Sequence, residues 1–243
     1  MSSAVLELDG LDGWRGTGHV IQGLNLTFES GRLAVVGRNG MGKTTMCESI
    51  TGMLAMQSGG RIGGSARLLG KELVDLKPHE ISRLGVGYVP QGRRVFGSLT
   101  SEENLKVSQR KRGEWSIDRV YELFPRLLER RHVKASQLSG GEQQMLAIGR
   151  ALVTQSRLLI MDEPSEGLAP VIVDQLVEAC HRLSDDGMDL VVVEQNLGVA
   201  LSLADSVVVI ANGCVVATLR SNELRDDPEL QRRYLGISPT VDA

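Results

Sequence analysis

The stretch Gly37-Arg38-Asn39-Gly40-Met41-Gly42-Lys43-Thr44-Thr45 constrains this chain more than any other. It follows an apolar, β-branched run at 32–36 and opens a helix-period segment, so its glycines fall at a strand-to-helix turn. Glycine adopts backbone conformations closed to other residues, which lets successive N–H groups curl round an anion while the helix N-terminus adds positive potential. The spacing Gly-x-x-x-x-Gly-Lys-Thr is complete, as a phosphate-binding P-loop requires. Gly37, Asn39, Gly40 and Gly42 then line the cradle and Lys43 reaches the β- and γ-phosphates. The Thr44 hydroxyl is suited to Mg²⁺, and Thr45 to the α-phosphate. The alternative is a glycine-rich turn with no ligand, which leaves the Gly-Lys-Thr spacing to chance.

Short runs rich in Val, Ile and Leu alternate with longer helix-period stretches, the pattern of a mostly parallel sheet covered by helices on both faces. The fold class is therefore α/β. Strands are expected at 5–8, 25–29, 32–36, 65–69, 87–89, 157–161 and 190–194. Near the end, 207–210 and 214–219 flank Asn212-Gly213, a dipeptide that favours positive-φ turns and predicts a hairpin. Between 91 and 137 the strand signal vanishes, and Thr100-Ser101-Glu102-Glu103 has capping-box spacing, so this block reads as a helical subdomain. Further helices are expected at 141–153 and 170–183, the latter stopped by Asp185-Asp186-Gly187.

Arg157-Leu158-Leu159-Ile160-Met161-Asp162-Glu163 is an apolar strand ending in two carboxylates, and a buried parallel strand delivers such a pair to the sheet edge where ligands bind. Asp162 is the candidate to hold Mg²⁺ through water, and Glu163 the candidate to orient or deprotonate an attacking water. A solvated acidic turn before Pro164 is the bland alternative. In Leu138-Ser139-Gly140-Gly141-Glu142, Ser139 and Glu142 form a capping box, while Gly140 and Gly141 leave helix-start N–H groups bare for a phosphate.

The P-loop, the Leu-Ser-Gly-Gly-Glu signature and the Leu-Leu-Ile-Met-Asp-Glu-Pro strand, in that order, resemble the ATP-binding subunit of an ABC transporter. The resemblance spans nearly the whole chain. It implies one ATPase domain over 1–243. A P-loop core with an antiparallel β subdomain would occupy 1–90 and 155–243, and a mostly helical subdomain carrying the signature would occupy 91–154. It further implies a head-to-tail dimer with ATP sandwiched between each P-loop and the partner's signature at Ser139, Gly140 and Gly141. Gln91, after Gly87-Tyr88-Val89-Pro90, matches the glutamine that touches Mg²⁺ and the attacking water. Trp14 and Arg15 lie where an aromatic residue stacks on adenine. The switch histidine of the family is replaced by Gln195, whose amide can donate to the γ-phosphate but carries no titrating proton, which shifts the burden of base chemistry to Glu163. Ala169 stands where many relatives carry an aspartate.

These variants, with Pro90-Gln91-Gly92-Arg93-Arg94-Val95-Phe96 and the ending Tyr234-Leu235-Gly236, resemble the second ATPase subunit of branched-chain amino acid uptake systems. Urea and short-chain amide importers share much of the pattern. The implied partners are permease transmembrane subunits, a second ATPase subunit or another copy of this chain, and indirectly an extracytoplasmic substrate-binding protein. Arg93, Arg94 and Phe96 are the candidates for touching the permease.

Composition removes other classes. A formal net charge of -3 argues against a surface made for nucleic acid. A soluble ABC-type ATPase of ribosome or nucleic-acid biology is expected to carry two cassettes or coiled-coil insertions, and neither is visible. A GTPase would need an Asn-Lys-x-Asp signature, which is absent. Cys47, Cys180 and Cys214 are odd in number and far apart, suggesting neither a disulfide framework nor a zinc site, and a reducing compartment is the simpler reading. The apolar runs fall short of the roughly 18 residues a membrane helix needs, and residues 1–10 show no secretory pattern, so the chain is expected to stay in the cytoplasm, where the resemblance implies a peripheral place on the cytoplasmic side of the cell membrane.

Overall fold

The computed structural model describes residues 4–110 and 113–235. The first three residues of the N-terminal stretch and Gly236 of the Tyr234-Leu235-Gly236 ending lie outside the described residues. The strands are β1 (Leu6–Arg15), β2 (Gly18–Phe28), β3 (Arg32–Val36), β4 (Gly60–Leu68), β5 (Lys71–Glu72), β6 (Val86–Val89), β7 (Leu158–Asp162), β8 (Asp189–Glu194), β9 (Ser206–Ala211) and β10 (Cys214–Arg220). The helices are α1 (Lys43–Ile50), α2 (Pro78–Leu84), α3 (Ser101–Ser108), α4 (Ile117–Leu123), α5 (Pro125–Glu129), α6 (Gly140–Leu152), α7 (Pro170–Asp185), α8 (Leu197–Leu203), α9 (Ser221–Asp226) and α10 (Pro228–Leu235).

A central sheet runs in the order β10-β9-β3-β8-β7-β6, parallel throughout except for the antiparallel β10 edge. Both faces are covered, and successive side chains show it. Leu158, Ile160, Val191 and Val193 pack into the layer shared with α1 and the smaller sheet. Leu159, Met161, Leu190 and Val192 pack into the layer shared with α6 and α7. A strand buried on both sides has no polar face, which is why β7 and β8 read as continuous apolar runs. Asn212 and Gly213 take φ of 49° and 77°, so the final hairpin turns through them as expected.

The smaller sheet, β2-β1-β4-β5, is antiparallel and longer-stranded than the sequence suggests. Where the sequence predicts strands at 5–8, 25–29 and 65–69, β1, β2 and β4 run for 10, 11 and 9 residues. The register slips between Leu8 and Leu11, and between Asp9 and Asp12, where Gly10 and Gly64 take positive φ. Each slip is a bulge that breaks two-residue alternation without ending the strand.

Residues 91–137 hold α3, α4 and α5 and, among the described residues, no strand beyond an isolated bridge between Thr100 and Lys134. The capping boxes of α3 and α6 both form: Glu103 and Glu142 each accept the backbone N–H of the residue that caps their helix, Thr100 and Ser139. No helix is long and apolar enough to cross a membrane among the described residues. Cys47 and Cys180 are free and buried, and Cys214 is free and half-buried.

Candidate nucleotide site

Register decides what meets at the carboxyl edge of the central sheet. Val36 of β3 pairs with Glu194 of β8, Val193 of β8 with Asp162 of β7, and Met161 of β7 with Val89 of β6. The residues that leave these strand ends, Gly37, Glu163, Gln195 and Gln91, are therefore brought to one edge. Asn39, Gly40, Gly42, Lys43, Thr44, Thr45, Gln91, Glu163, Glu166, Gln195 and Arg15 line a single cleft of about 410 Å³.

Gly40 and Gly42 take φ of 79° and 102°, and a Cβ on Gly42 would come within 2.7 Å of Ile21. Lys43 opens α1 and is only 4% exposed. Its ammonium donates to the Gly37 carbonyl at 2.8 Å and the Arg38 carbonyl at 3.3 Å, and lies 3.6 Å from Glu163 Oε1. A buried cation needs such partners. Glu163 itself has φ of 50°, unusual for a residue with a side chain, and its N–H donates to Val193 O at 2.9 Å, tying the turn to β8. The Gln91 amide donates to Glu163 Oε2 at 3.1 Å and to Glu166 Oε2 at 2.9 Å. Gln91 is thus poised between the two carboxylates of the cleft.

Asp162 is 1% exposed and neither carboxylate oxygen has a hydrogen-bond partner. Burial pushes its carboxyl up to about 6. Glu163 adds to the shift, while Lys43 and the Thr44 hydroxyl, which stops short of hydrogen-bond geometry, oppose it. An orphaned buried carboxylate beside a P-loop threonine fits a divalent cation. Among the described residues no group of three or more His, Cys, Asp or Glu side chains could hold a metal. Mg²⁺ takes one or two protein ligands and completes its shell with phosphates and water, a number that Asp162 and Thr44 could supply. Because folding raises this pKa, the charged form penalises the folded state; the penalty is absent below about pH 4 and complete above about pH 6. Asp162→Asn is accordingly expected to raise the stability of the nucleotide-free protein at pH 7.5 by on the order of 1 to 3 kcal/mol. Urea denaturation checks this, and an unchanged or lowered midpoint contradicts it.

Arg15 lines the cleft, donating to Thr45 Oγ1 at 3.0 Å and to Gln57 Oε1 at 2.6 Å and pairing with Glu48. Trp14 is outside that lining: its ring stacks on His19 at 4.6 Å and receives the Arg61 guanidinium at 5.1 Å. Ser139, Gly140 and Gly141 are also outside the cleft, at the start of α6. The two glycines have a packing reason as well: a Cβ on Gly141 would come within 2.7 Å of Ile172, and one on Gly140 would overlap the Arg93 guanidinium. Sequence reasoning missed Glu194. It is 2% exposed, burial raises its pKa, and it accepts the Ser165 N–H at 3.0 Å, fastening the loop that follows Glu163. The signal that could have found it is a carboxylate at the end of an otherwise apolar strand.

A P-loop at the end of a central strand, an orphaned acid and a second carboxylate beside it define a nucleotide-hydrolysing α/β protein. The model of the family described as ABC transporter matches residues 21–166, and the chain belongs to that family, as an ATP-hydrolysing cassette. It is 39% identical over 237 residues to the high-affinity branched-chain amino acid transport ATP-binding protein BraG of Pseudomonas aeruginosa, covering 96% of this chain and 100% of the relative. It is 36% identical over 209 residues to the probable branched-chain amino acid transport ATP-binding protein LivF of Archaeoglobus fulgidus, covering 84% and 86%. The fold matches that of a nucleotide-free ATP-binding cassette from an ABC transporter with a TM-score of 0.81 at 23% identity, covering 96% of this chain and 100% of that one.

Proposed function

We propose that this chain is the ATP-hydrolysing subunit that powers import of branched-chain amino acids through a membrane permease, held at the cytoplasmic face of the cell membrane by that permease. The observation that carries this reading is the end-to-end similarity to BraG, a branched-chain amino acid transport ATP-binding protein. In this reading the P-loop from Gly37 to Thr45 holds the ATP phosphates, with Arg15 beside Thr45 at the mouth of the cleft. Thr44 and Asp162 hold Mg²⁺, whose chemistry when bound is to neutralise charge on the transferring phosphate. Gln91 and Gln195 orient the nucleotide and water by hydrogen bonds, and Glu163 takes the proton. Ser139, Gly140 and Gly141 serve the nucleotide of the opposing subunit, either a second copy or a related ATPase.

A groove of about 310 Å³, lined in part by Met53, Tyr88, Pro90, Arg94 and Ala147, is the proposed seat of a permease's cytoplasmic helix. Arg150 supports its rim: the guanidinium lies 4.3 Å from the centre of the half-exposed Phe96 ring and donates to Arg94 O at 2.6 Å. Arg94→Glu is expected to cut permease recovered with the tagged protein from detergent-solubilised native membranes by at least about tenfold, since a reversed charge at a buried contact is left unpaired. Full recovery removes Arg94 from the interface. The direct test of cargo is uptake of radiolabelled leucine, isoleucine and valine in cells lacking the chain, with and without its return. Urea or amide uptake restored in their place would reassign the cargo.

A further inference from the structure

Arg93 does not face the permease groove. It sits at the meeting point of three segments: the loop after β6 that carries Gln91, the loop after β7 that carries Glu163, and the first residue of α6. Its guanidinium donates to Glu166 O at 2.7 Å and to Gly167 O at 2.9 Å. The same guanidinium lies so close over Gly140 that a Cβ there would overlap it, and Gly167, with φ of 63°, presents its carbonyl to it. Arg93 itself is held at φ of 50°, a conformation that costs free energy for a residue with a side chain and persists only where its surroundings enforce it. The two carbonyls belong to the loop that Glu194 fastens through Ser165 and that Gln91 touches through Glu166.

From this we infer that Arg93 is a positioning residue that fixes the start of the signature helix to the loop following the catalytic carboxylate. This rests on the head-to-tail reading above, in which a subunit's own cleft and its signature serve different nucleotides. Arg93 touches both the loop that follows Glu163 and the first residue of the signature helix. The planar guanidinium is matched to both neighbours: Nη2 donates to the two adjacent carbonyls, while Nη1, held in the same plane, is the atom nearest to Gly140. One subunit's cleft and the signature it offers to the other are thereby kept in a fixed relation.

The test uses the full chain in a Glu163→Gln background, where hydrolysis does not blur binding. Two quantities are read: ATP affinity at protein concentrations too low for dimers, and the ATP concentration giving half-maximal dimer by light scattering. Arg93→Ala is expected to raise the second by at least about tenfold while the first and the melting temperature move little. Gly140→Ala, which displaces the guanidinium without removing it, is expected to impair dimerisation too, and the double variant to be no worse than the more impaired single variant because the overlap is gone. Arg93→Lys, which keeps the charge but not the fork, is expected to fall between the arginine and alanine forms, and it carries the test should the alanine variant not fold. Arginine-like dimerisation of the alanine or lysine form, or an equal loss of monomer affinity and melting temperature, overturns the assignment. Failure of Glu163→Gln itself to dimerise with Arg93 intact would instead overturn the head-to-tail reading.

Discussion

Glu163→Gln is expected to lower ATP turnover by at least about 100-fold and to leave ATP bound, so that a nucleotide-dependent dimer accumulates. The magnitude is that of losing a general base. The substitution keeps size and keeps an acceptor for the Gln91 amide, which now sits 3.1 Å from Glu163 Oε2. It removes the charge that stands 3.6 Å from the Lys43 ammonium, freeing that cation to favour phosphate and relieving repulsion between carboxylate and γ-phosphate. Among the described residues no histidine lines the cleft to take over the proton: His19 stacks on Trp14, and His181 hydrogen-bonds Ser202 O at 2.9 Å. Glu166 is the other carboxylate of the cleft that faces Gln91, and Glu166→Gln is the control, with a loss under about tenfold. Phosphate release and light scattering measure both. Turnover within threefold of the unmodified protein would remove Glu163 from the role of base.

The central sheet and its cleft are legible because each strand is an apolar run that ends in a polar motif. The chain need only fold each run as a parallel strand for Gly37, Gln91, Glu163 and Gln195 to arrive at one edge. Directions of side chains are not legible. Nothing in Arg93-Arg94 tells that the first guanidinium turns inward to backbone carbonyls while the second borders the groove, because the backbone turn that separates them is set by φ of 50° at Arg93. Trp14 and Arg15 likewise point apart as neighbours on a strand do, one towards His19 and Arg61, the other towards Thr45. The smaller sheet is under-read for a different reason. In the sequence its glycines look like punctuation, whereas Gly10 and Gly64 bend strands that continue.

Gly37→Ala is expected to abolish ATP binding and to destabilise the fold by about 3 kcal/mol or more, although Gly37 is not a positive-φ residue. The reason is space. A Cβ at this position would overlap the carbonyl oxygen of Ile210 on β9, a backbone atom fixed by the pairing of β9 with β3 on one side and β10 on the other. Neither strand can yield without breaking the ladder, so the P-loop itself must shift away from the sheet. That movement carries the Gly37 carbonyl away from the Lys43 ammonium, which it meets at 2.8 Å, and misplaces the N–H groups that would cradle phosphate. Gly40 supplies the contrast. It has φ of 79° but nothing within 4 Å of where a Cβ would lie, so Gly40→Ala is expected to cost only the backbone strain, about 1 kcal/mol, with ATP binding weakened by about tenfold or less. Calorimetric titration of ATP with paired urea melts separates the two. Equal losses in both variants would mean that backbone conformation, and not the approach of β9, sets the requirement for glycine at the start of the loop.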